Sequence, residues 1–376
     1  MSELYSISGR IDRFEFEQLS SIKSVKDKAD GLLQGVTGGN LTWDFTSDTK
    51  VSGSLDVVDT PLLHSKYVRI YYISSIPIVN SDTGKGYYKT RKVLLGTCYA
   101  DTENGHLENG KYSGTIKLQG TPSRYTEDQI AKNLSLKKGG SVIGFIRQLF
   151  SWFGGQYSIS GVKDRKVSAT HVWDFGTSPY DILKELVSWI NGYITVNREG
   201  VICIRGYVKP SKRAIEYTFP MGEESVTFPG VDISSSLGSA INRVAVKYVK
   251  TEKYTEGGKQ KTRQVPIFGL ASVASTNAAS RAKTGKLVTH TETINSMKPE
   301  TTERANAIAK NLLSKESGYV TEYKVTSYYL PIWCNELVRF KYEKIDVDAL
   351  VMSIDYDLSV GCKMTTVLRK IGNHKK

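Results

Sequence analysis

The sequence predicts a mainly β protein with α+β insertions, in which two similar small antiparallel β-barrels are separated by inserted helix and hairpin units. The first observation is composition: 22 of the 376 residues are tyrosine, a residue that favours strands. The second is the alternation of apolar and charged side chains in residues 335–343, which is typical of a strand with one buried face. The third is an internal repeat.

The internal repeat relates residues 67–72, Tyr-Val-Arg-Ile-Tyr-Tyr, to residues 337–342, Leu-Val-Arg-Phe-Lys-Tyr. Each stretch precedes an apolar strand and then a strand led by glycine, although the last pair is one residue out of register. Two unrelated antiparallel meanders can also look alike, so chance similarity is the alternative. A true repeat predicts that Val338, Phe340 and Tyr342 face a core.

Turn residues and patterning divide the chain into three predicted domains. Residues 1–121 are predicted to form a first β-barrel-like domain of consecutive strands separated by Gly-, Pro- and Asn-containing turns. Residues 122–240 are predicted to form an inserted α+β domain. Residues 241–376 are predicted to form the second β-barrel-like domain.

Four smaller elements are predicted inside the last two domains. Apolar spacing predicts helices near residues 141–153 and 179–191, the second with Ser178 as its N-cap. Residues 193–205 read as a hairpin around the turn Asn-Arg-Glu-Gly. In the last domain, 250–290 is expected to be a polar, basic arm or loop, and 301–313 a helix.

Compartment and membrane signals are weak throughout the chain. The most apolar stretch, 141–153, is shorter than the ~20 residues that cross a bilayer and is interpreted as a buried helix, with a membrane-surface helix as the alternative. The N-terminus lacks the features of a secretory signal, so we expect folding in a cytoplasm. The four cysteines are widely separated and are expected to be buried free thiols.

The basic charge is concentrated in the central segments. The formal net charge of +13 implies an acidic partner or path. Residues 242–310 contain thirteen Lys or Arg against five Asp or Glu, and residues 131–170 contain seven against one. A basic passage lining that tolerates any nucleic-acid sequence is one interpretation, and a solvated loop is the other. The candidates in the basic arm are Lys253, Lys259, Lys261, Arg263, Arg281, Lys283 and Lys286.

The sequence contains no recognised catalytic signature. GxSxG, HExxH, GxxxxGK[ST] and GxGxxG are all absent, and the five histidines are scattered. The acidic pairs Glu223–Glu224 and Asp346/Asp348 are expected to be solvated turn residues. We therefore predict no catalytic residues, no metal ligands, no cofactor and no enzymatic activity.

The order of elements resembles the tail hub proteins of tailed bacteriophages, a family that includes baseplate hubs and the N-terminal hub domain of tail-associated lysins. The resemblance rests on the helix–hairpin unit of residues 178–205, the strand Asn242-Arg-Val-Ala-Val-Lys-Tyr, the helix 301–313 and the closing Ser353-Ile-Asp-Tyr-Asp-Leu-Ser-Val-Gly-Cys. It spans most of the chain in architecture, but few of its residues are specific.

The resemblance implies a structural virion protein of the tail tip or baseplate, assembled in the host cytoplasm. It implies a homotrimer whose two barrels per chain form a pseudo-hexameric ring that caps the tail tube or distal tail ring. The implied partners are the distal tail or tail tube protein, the tape measure protein, a tail spike, fibre or lysin, and DNA in transit, without stable membrane insertion. The chain stops at Lys376, where the family often continues, so we expect a separate protein to supply any lytic or receptor-binding part.

The outward side chains of the two repeated strands become candidate contacts with the ring or the tube under this interpretation. They are Arg69, Tyr71, Arg339 and Lys341. Two other functions stay open at this point. One is a cell-wall hydrolase or carbohydrate-binding β-protein, and the other is a non-specific nucleic-acid-binding protein.

Overall fold

The structure is a computed structural model that describes residues 10–22, 28–59, 67–79, 86–222, 225–236, 241–257, 259–277, 279–293, 301–316 and 320–371. Strands account for 53% of the chain and helices for 15%, so the predicted β-dominant class is confirmed. Contacts group the chain into two compact units. The first comprises residues up to 232 together with 323–371, and the second comprises residues 233–322.

The first part of the chain forms seven consecutive strands. They are β1 (Ile11–Leu19), β2 (Gly31–Leu32), β3 (Val36–Asp44), β4 (Val51–Val58), β5 (Tyr67–Val79), β6 (Gly86–Glu108) and β7 (Lys111–Gln119). Strand β6 is 23 residues long, several times an ordinary strand of about 5–6 residues. Asn109 and Gly110 have positive φ angles of 51° and 78°, which is the two-residue hairpin turn expected between β6 and β7.

The middle of the chain carries three α-helices, a short 3-10 helix (Pro210–Lys212) and six short strands. The α-helices and strands are α1 (Ser123–Thr126), β8 (Leu134–Leu136), α2 (Val142–Phe153), β9 (Tyr157–Ser160), β10 (His171–Trp173), α3 (Pro179–Trp189), β11 (Gly192–Val196), β12 (Ile202–Gly206) and β13 (Tyr217–Thr218). The Ser178 hydroxyl accepts a hydrogen bond from the Asp181 amide at 3.0 Å, so the predicted cap of α3 is confirmed. The predicted hairpin is β11 and β12, and α2 buries five of its apolar side chains.

The last part contains β14 (Thr227–Ser236), β15 (Arg243–Glu256), β16 (Lys259–Ser272), α4 (Arg281–Thr284), β17 (Thr289–Thr293) and α5 (Thr302–Glu316). The chain then ends in β18 (Val320–Ser327), β19 (Leu337–Tyr342), β20 (Ile345–Asp357) and β21 (Met364–Lys370). The predicted helix 301–313 corresponds to α5.

The four strands β4–β7, the first repeat, and the four strands β18–β21, the second repeat, have the same topology. The sheet order is β4-β7-β6-β5 in the first repeat and β18-β21-β20-β19 in the second. Val68 lies opposite Cys98 in the first repeat, and Val338 lies opposite Ala349 in the second. The internal repeat predicted from residues 67–72 and 337–342 is therefore confirmed by the strand pairing.

Both repeats contain an irregularity in strand pairing, and it lies at the corresponding position in each repeat. The pairing of β6 with β7 shifts between Ala100 and Thr102, and the pairing of β20 with β21 shifts between Val351 and Ser353. The ladder between β5 and β6 ends at Tyr99, and the ladder between β19 and β20 ends at Leu350. In each repeat the shift begins one residue later. Bulges alter strand direction and are structural features in their own right, so a shared position supports a residue-by-residue equivalence.

The expectation of two closed barrels was wrong, because the sheets are open. Strands of both repeats belong to one 13-stranded sheet, in the order β14-β18-β21-β20-β3-β4-β7-β6-β5-β1-β2, with β19 paired to β20 and β13 paired to β19. The physical reason is the ladder between β3 and β20, in which Asn40–Asp44 pair antiparallel with Ser353–Asp357. Strand β3 uses its second edge for this ladder and does not close the first repeat on itself.

The core of the first unit fills the space along this sheet. Its largest fully buried side chains include Trp43, Tyr180, Phe219, Phe340 and Tyr356. The Trp43 indole donates to the Leu95 carbonyl at 3.1 Å and packs 4.2 Å from the ring of Trp333. All four cysteines are buried and unbridged, as expected from the sequence, and burial raises the pKa of the Cys98 thiol to about 12.

The second unit is a three-stranded sheet, β16-β15-β17, with α5 packed on one face. The segment 250–290, expected to be a basic arm or loop, contains most of an antiparallel hairpin in which β15 and β16 pair over 14 residues each, and which we call the basic hairpin. Its outer half is polar on both faces, so it lacks the apolar alternation that would reveal a strand.

The boundaries of the two compact units differ from the three predicted domains 1–121, 122–240 and 241–376. The division into three domains stays a prediction.

Candidate interaction surfaces

Arg339 of β19 pairs with two carboxylates of the neighbouring strand β20. The Arg339 Nη1 atom donates to Asp348 Oδ1 at 2.8 Å, and its Nε atom bonds the carboxylate of Asp346. Hydrogen bonds from Arg339 to these two carboxylates raise the pKa of its guanidinium further above its ordinary value. Lys341 is half-buried and lies opposite Asp346 in the ladder. This face of β19 is therefore a mixed-charge surface.

The equivalent face of β5 has a similar composition. Arg69 is buried, with 4% of its surface exposed, between Glu17 of β1 and Thr97 of β6. Tyr71 is half-buried beneath Lys92, whose Nζ atom lies 4.0 Å from the ring centroid. Burial raises the pKa of the Tyr71 hydroxyl, and the charge of Glu17 adds to this effect.

Lys92 is held by two acidic residues of β1. It forms ion pairs with Glu15 and, at 3.2 Å, with Glu17. Partial burial lowers its pKa, but hydrogen bonds to the two carboxylates outweigh burial and raise the pKa overall. The four candidates on the repeated strands therefore lie in two equivalent patches of paired charge. Whether those patches contact another chain stays a prediction.

The basic candidates divide into two groups. Lys253, Lys259, Lys261 and Arg263 lie on the outer half of the basic hairpin, where Lys261 pairs with Glu256 at 2.8 Å and Arg263 pairs with Glu252 at 3.2 Å. These cross-strand pairs reduce the net charge of the hairpin surface. Arg281, Lys283 and Lys286 lie together on and just after α4 and are exposed.

A buried asparagine positions the segment that carries this second group. The Asn242 side chain donates to the carbonyls of Ala279 at 3.1 Å and Lys286 at 2.8 Å, and it accepts from the Val288 amide at 2.9 Å. Sequence reasoning identified the Asn-Arg-Val strand by resemblance and did not find this role. The signal was an amide side chain directly before an apolar strand, a position where it can satisfy loop backbone groups.

Sequence reasoning also missed a surface that consists of backbone groups. Strand β5 covers one edge of β6 only from Gly86 to Tyr99, and β7 covers the opposite edge from Tyr99 to Glu108. In the part of the chain that the structure describes, no strand pairs with the β5-side edge beyond Tyr99. Residues 104–108 on that stretch are exposed. The unusual length of β6 was the available signal.

The described residues contain no group of three or more His, Cys, Asp or Glu side chains that could hold a metal ion. None of the helices in the described ranges is both long and apolar enough to cross a membrane.

No protein-family model matches the chain, and no curated protein matches it in sequence. Solved structures do match it. A tail protein from Neisseria meningitidis MC58 superposes with a TM-score of 0.64 at 11% identity, covering 96% of this chain and 97% of that one.

Two other solved structures are similar over nearly the whole chain. The 43 kDa tail protein of prophage MuSo2 from Shewanella oneidensis has a TM-score of 0.58 at 13% identity, over 95% of this chain and 97% of that one. The prophage tail protein gp18 from Listeria monocytogenes EGD-e has a TM-score of 0.53 at 10% identity, over 97% and 95%. The chain therefore has the fold of these phage tail proteins, and the resemblance to tail hub proteins that the sequence indicated is confirmed at the level of the fold.

Proposed function

We propose that this protein is a structural component of a phage tail, located at the tail tip or baseplate. In this role its copies form a homotrimeric ring, and the two repeats of each chain give the ring pseudo-sixfold symmetry. The ring caps the tail tube or distal tail ring and connects it to the tail tip, spike or fibre. The protein acts by assembly and not by catalysis.

The observation that carries the proposal is a fold shared with phage tail proteins over almost the whole chain, combined with the internal repeat. The match to the Neisseria tail protein covers 96% of this chain, so it includes both repeats and the elements between them. Two repeats of the same topology allow one chain to fill two similar positions in a ring, and homo-oligomers of soluble proteins usually have closed symmetry.

The proposed partners follow from this position in the tail. One side of the ring meets the distal tail or tail tube protein, and the other meets a spike, a fibre or a separate lysin. The tape measure protein and the DNA pass through the centre. Tyr71, Arg339 and Lys341 on the repeated strands and the cations near α4 remain the candidate contact residues, whereas Arg69 is buried and is no longer one of them. Assembly takes place in the host cytoplasm.

The proposal is tested by the mass and symmetry of the purified protein. Light scattering is expected to give three times the mass of one chain, and averaged electron micrographs are expected to show a three-fold ring. A monomer at all concentrations, together with loss of turbidity in bacterial cell-wall suspensions, would instead support the hydrolase alternative. Tight, steeply salt-dependent DNA binding by a monomer would support the nucleic-acid alternative.

A further inference from the structure

A strand pairing inside the chain serves as the template for a contact between two copies. Strand β3, which precedes the first repeat, pairs antiparallel with β20 of the second repeat, with Thr42 opposite Asp355. At the two ends of this ladder, the Phe45 amide donates to the Met352 carbonyl at 2.9 Å, and the Leu358 amide donates to the Gly39 carbonyl at 3.0 Å. Because hydrogen-bonding direction alternates along a strand, residues 352, 354, 356 and 358 face β3.

The shared bulge transfers this template to the first repeat. Ser353, the first residue after the shift in β20, corresponds to Thr102 in β6, so Asp355 corresponds to Asn104 and Leu358 to Leu107. The backbone groups of Glu103, Gly105 and Leu107 therefore face the uncovered edge of β6. This edge corresponds to the edge of β20 that pairs with β3 in the second repeat. The two-residue turn supports this alternation of backbone direction. The Glu108–Lys111 pair that flanks the turn is hydrogen-bonded within the hairpin, so the next residue, Leu107, faces the other edge.

Strand β14 is the counterpart of β3. Strand β3 neighbours β4, the first strand of its repeat, and β14 neighbours β18, the first strand of the second repeat. Within the described chain, β14 ends the sheet, whereas β3 is paired on both edges. Strand β14 also contains Pro229, a residue confined mainly to edge strands, and Ile233, which is 58% exposed.

We propose that β14 of one copy pairs antiparallel with residues 103–107 of β6 in a second copy of this chain. The inference rests on the ring of the proposed function and names the strands that close it. It reproduces between chains the β3·β20 contact found within the chain. The contact is head-to-tail, because it joins different strands of the two copies, and such contacts form rings when the rotation closes. It also removes two exposed strand edges, which otherwise promote uncontrolled association.

Disulfide trapping between differently tagged copies tests the pairing. One copy carries Asn104→Cys, and the other carries a single substitution from the series Val231→Cys, Asp232→Cys, Ile233→Cys and Ser234→Cys. All four native cysteines are buried, so they should not compete under non-denaturing conditions. Because a disulfide needs Cα atoms about 4.4–6.8 Å apart, we expect a strong product at one position and weak products at its immediate neighbours. Products of equal strength at all positions would overturn the proposal.

A backbone substitution provides the second test. Leu107→Pro removes an amide hydrogen that faces the uncovered edge, whereas the matched control Leu107→Ala keeps that hydrogen and loses the exposed side chain. We expect Leu107→Pro to weaken association about tenfold with unchanged monomer melting, and Leu107→Ala to associate normally. Equal loss in both variants would assign the effect to the side chain and overturn the backbone pairing.

The outcomes separate the two proposals. A three-fold ring that gives no cross-link at any position of β14 would refute this pairing and leave the proposed function standing. The absence of any trimer in the unsubstituted protein would refute the ring itself. Cross-links that yield open chains of many copies would support the pairing and contradict the closed trimer.

Discussion

At the scale of single residues, Asn242 is the side chain with the clearest local task. It satisfies three backbone groups of the segment that contains α4 while being only 2% exposed. We predict that Asn242→Ala lowers the free energy of unfolding by about 2–4 kcal/mol, because buried backbone groups lose their partners. Hydrogen exchange should accelerate first in residues 279–288.

A matched variant separates the donor and acceptor roles of this side chain. Asn242→Asp keeps an acceptor for the Val288 amide but cannot donate to the carbonyls of Ala279 and Lys286. We expect it to destabilise the segment as well. Unchanged exchange in both variants would show that the asparagine does not hold this loop.

The repeated strands make a paired prediction about the core. Phe340 and Ile70 occupy equivalent positions and are both fully buried. We predict that Phe340→Asp and Ile70→Asp each prevent folding, since an unpaired buried charge costs more than about 4 kcal/mol. Soluble yield and circular dichroism measure the outcome, with the exposed Lys89→Asp as control. Native spectra for either core variant would contradict the strand register.

Alternation in the sequence predicted part of this residue-level picture. It placed Val338 and Phe340 in the core, and both are fully buried, while Tyr342 is only partly so. It also placed Arg69 on an outward face, yet Arg69 is buried. Periodicity identifies which face of a strand a residue occupies, but it does not show whether another part of the chain covers that face.

At the scale of elements, the second unit depends on a close approach between a strand and a helix. A Cβ atom at Gly269 of β16 would lie 2.2 Å from the Ala305 carbonyl carbon of α5. The adjacent Leu270 amide donates to the Asn306 side chain at 2.8 Å, so the helix is also hydrogen-bonded to the strand. This contact explains a glycine in the middle of a 14-residue strand.

We predict that Gly269→Ala destabilises this unit by about 1–3 kcal/mol, because α5 must move away from the sheet. Thermal unfolding and hydrogen exchange of residues 302–313 measure the effect. Gly86→Ala is the control, since a Cβ atom there meets nothing within 4 Å. Equal melting of both variants would mean that α5 does not pack on β16 as described.

The helices could be predicted from the sequence better than the basic hairpin could. Capping residues and apolar spacing act within one helix, so Ser178 and the apolar face of α3 were sufficient evidence. The outer half of the basic hairpin is stabilised by pairing between strands, such as Glu252 with Arg263. Those partners are not adjacent in sequence, and a strand that is polar on both faces carries no periodic signal.

At the scale of the whole molecule, the repeat was visible in the sequence but its consequence for the sheet was not. Six aligned residues were enough to find the equivalent strands β5 and β19. The joining of both repeats through β3 and β20 depends on backbone hydrogen bonds, which any residue except proline can form. The sequence therefore predicted two separate barrels where the chain forms one continuous sheet.

In the function that we propose, the two equivalent repeats of each chain build a closed three-fold ring. The most direct measurement is the mass of the purified full-length protein by light scattering over a range of concentrations, combined with averaged electron micrographs of the same sample. We predict a species of three times the mass of one chain that appears as a ring with three-fold symmetry. A monomer at every concentration, or open filaments without a closed species, would contradict the proposed ring.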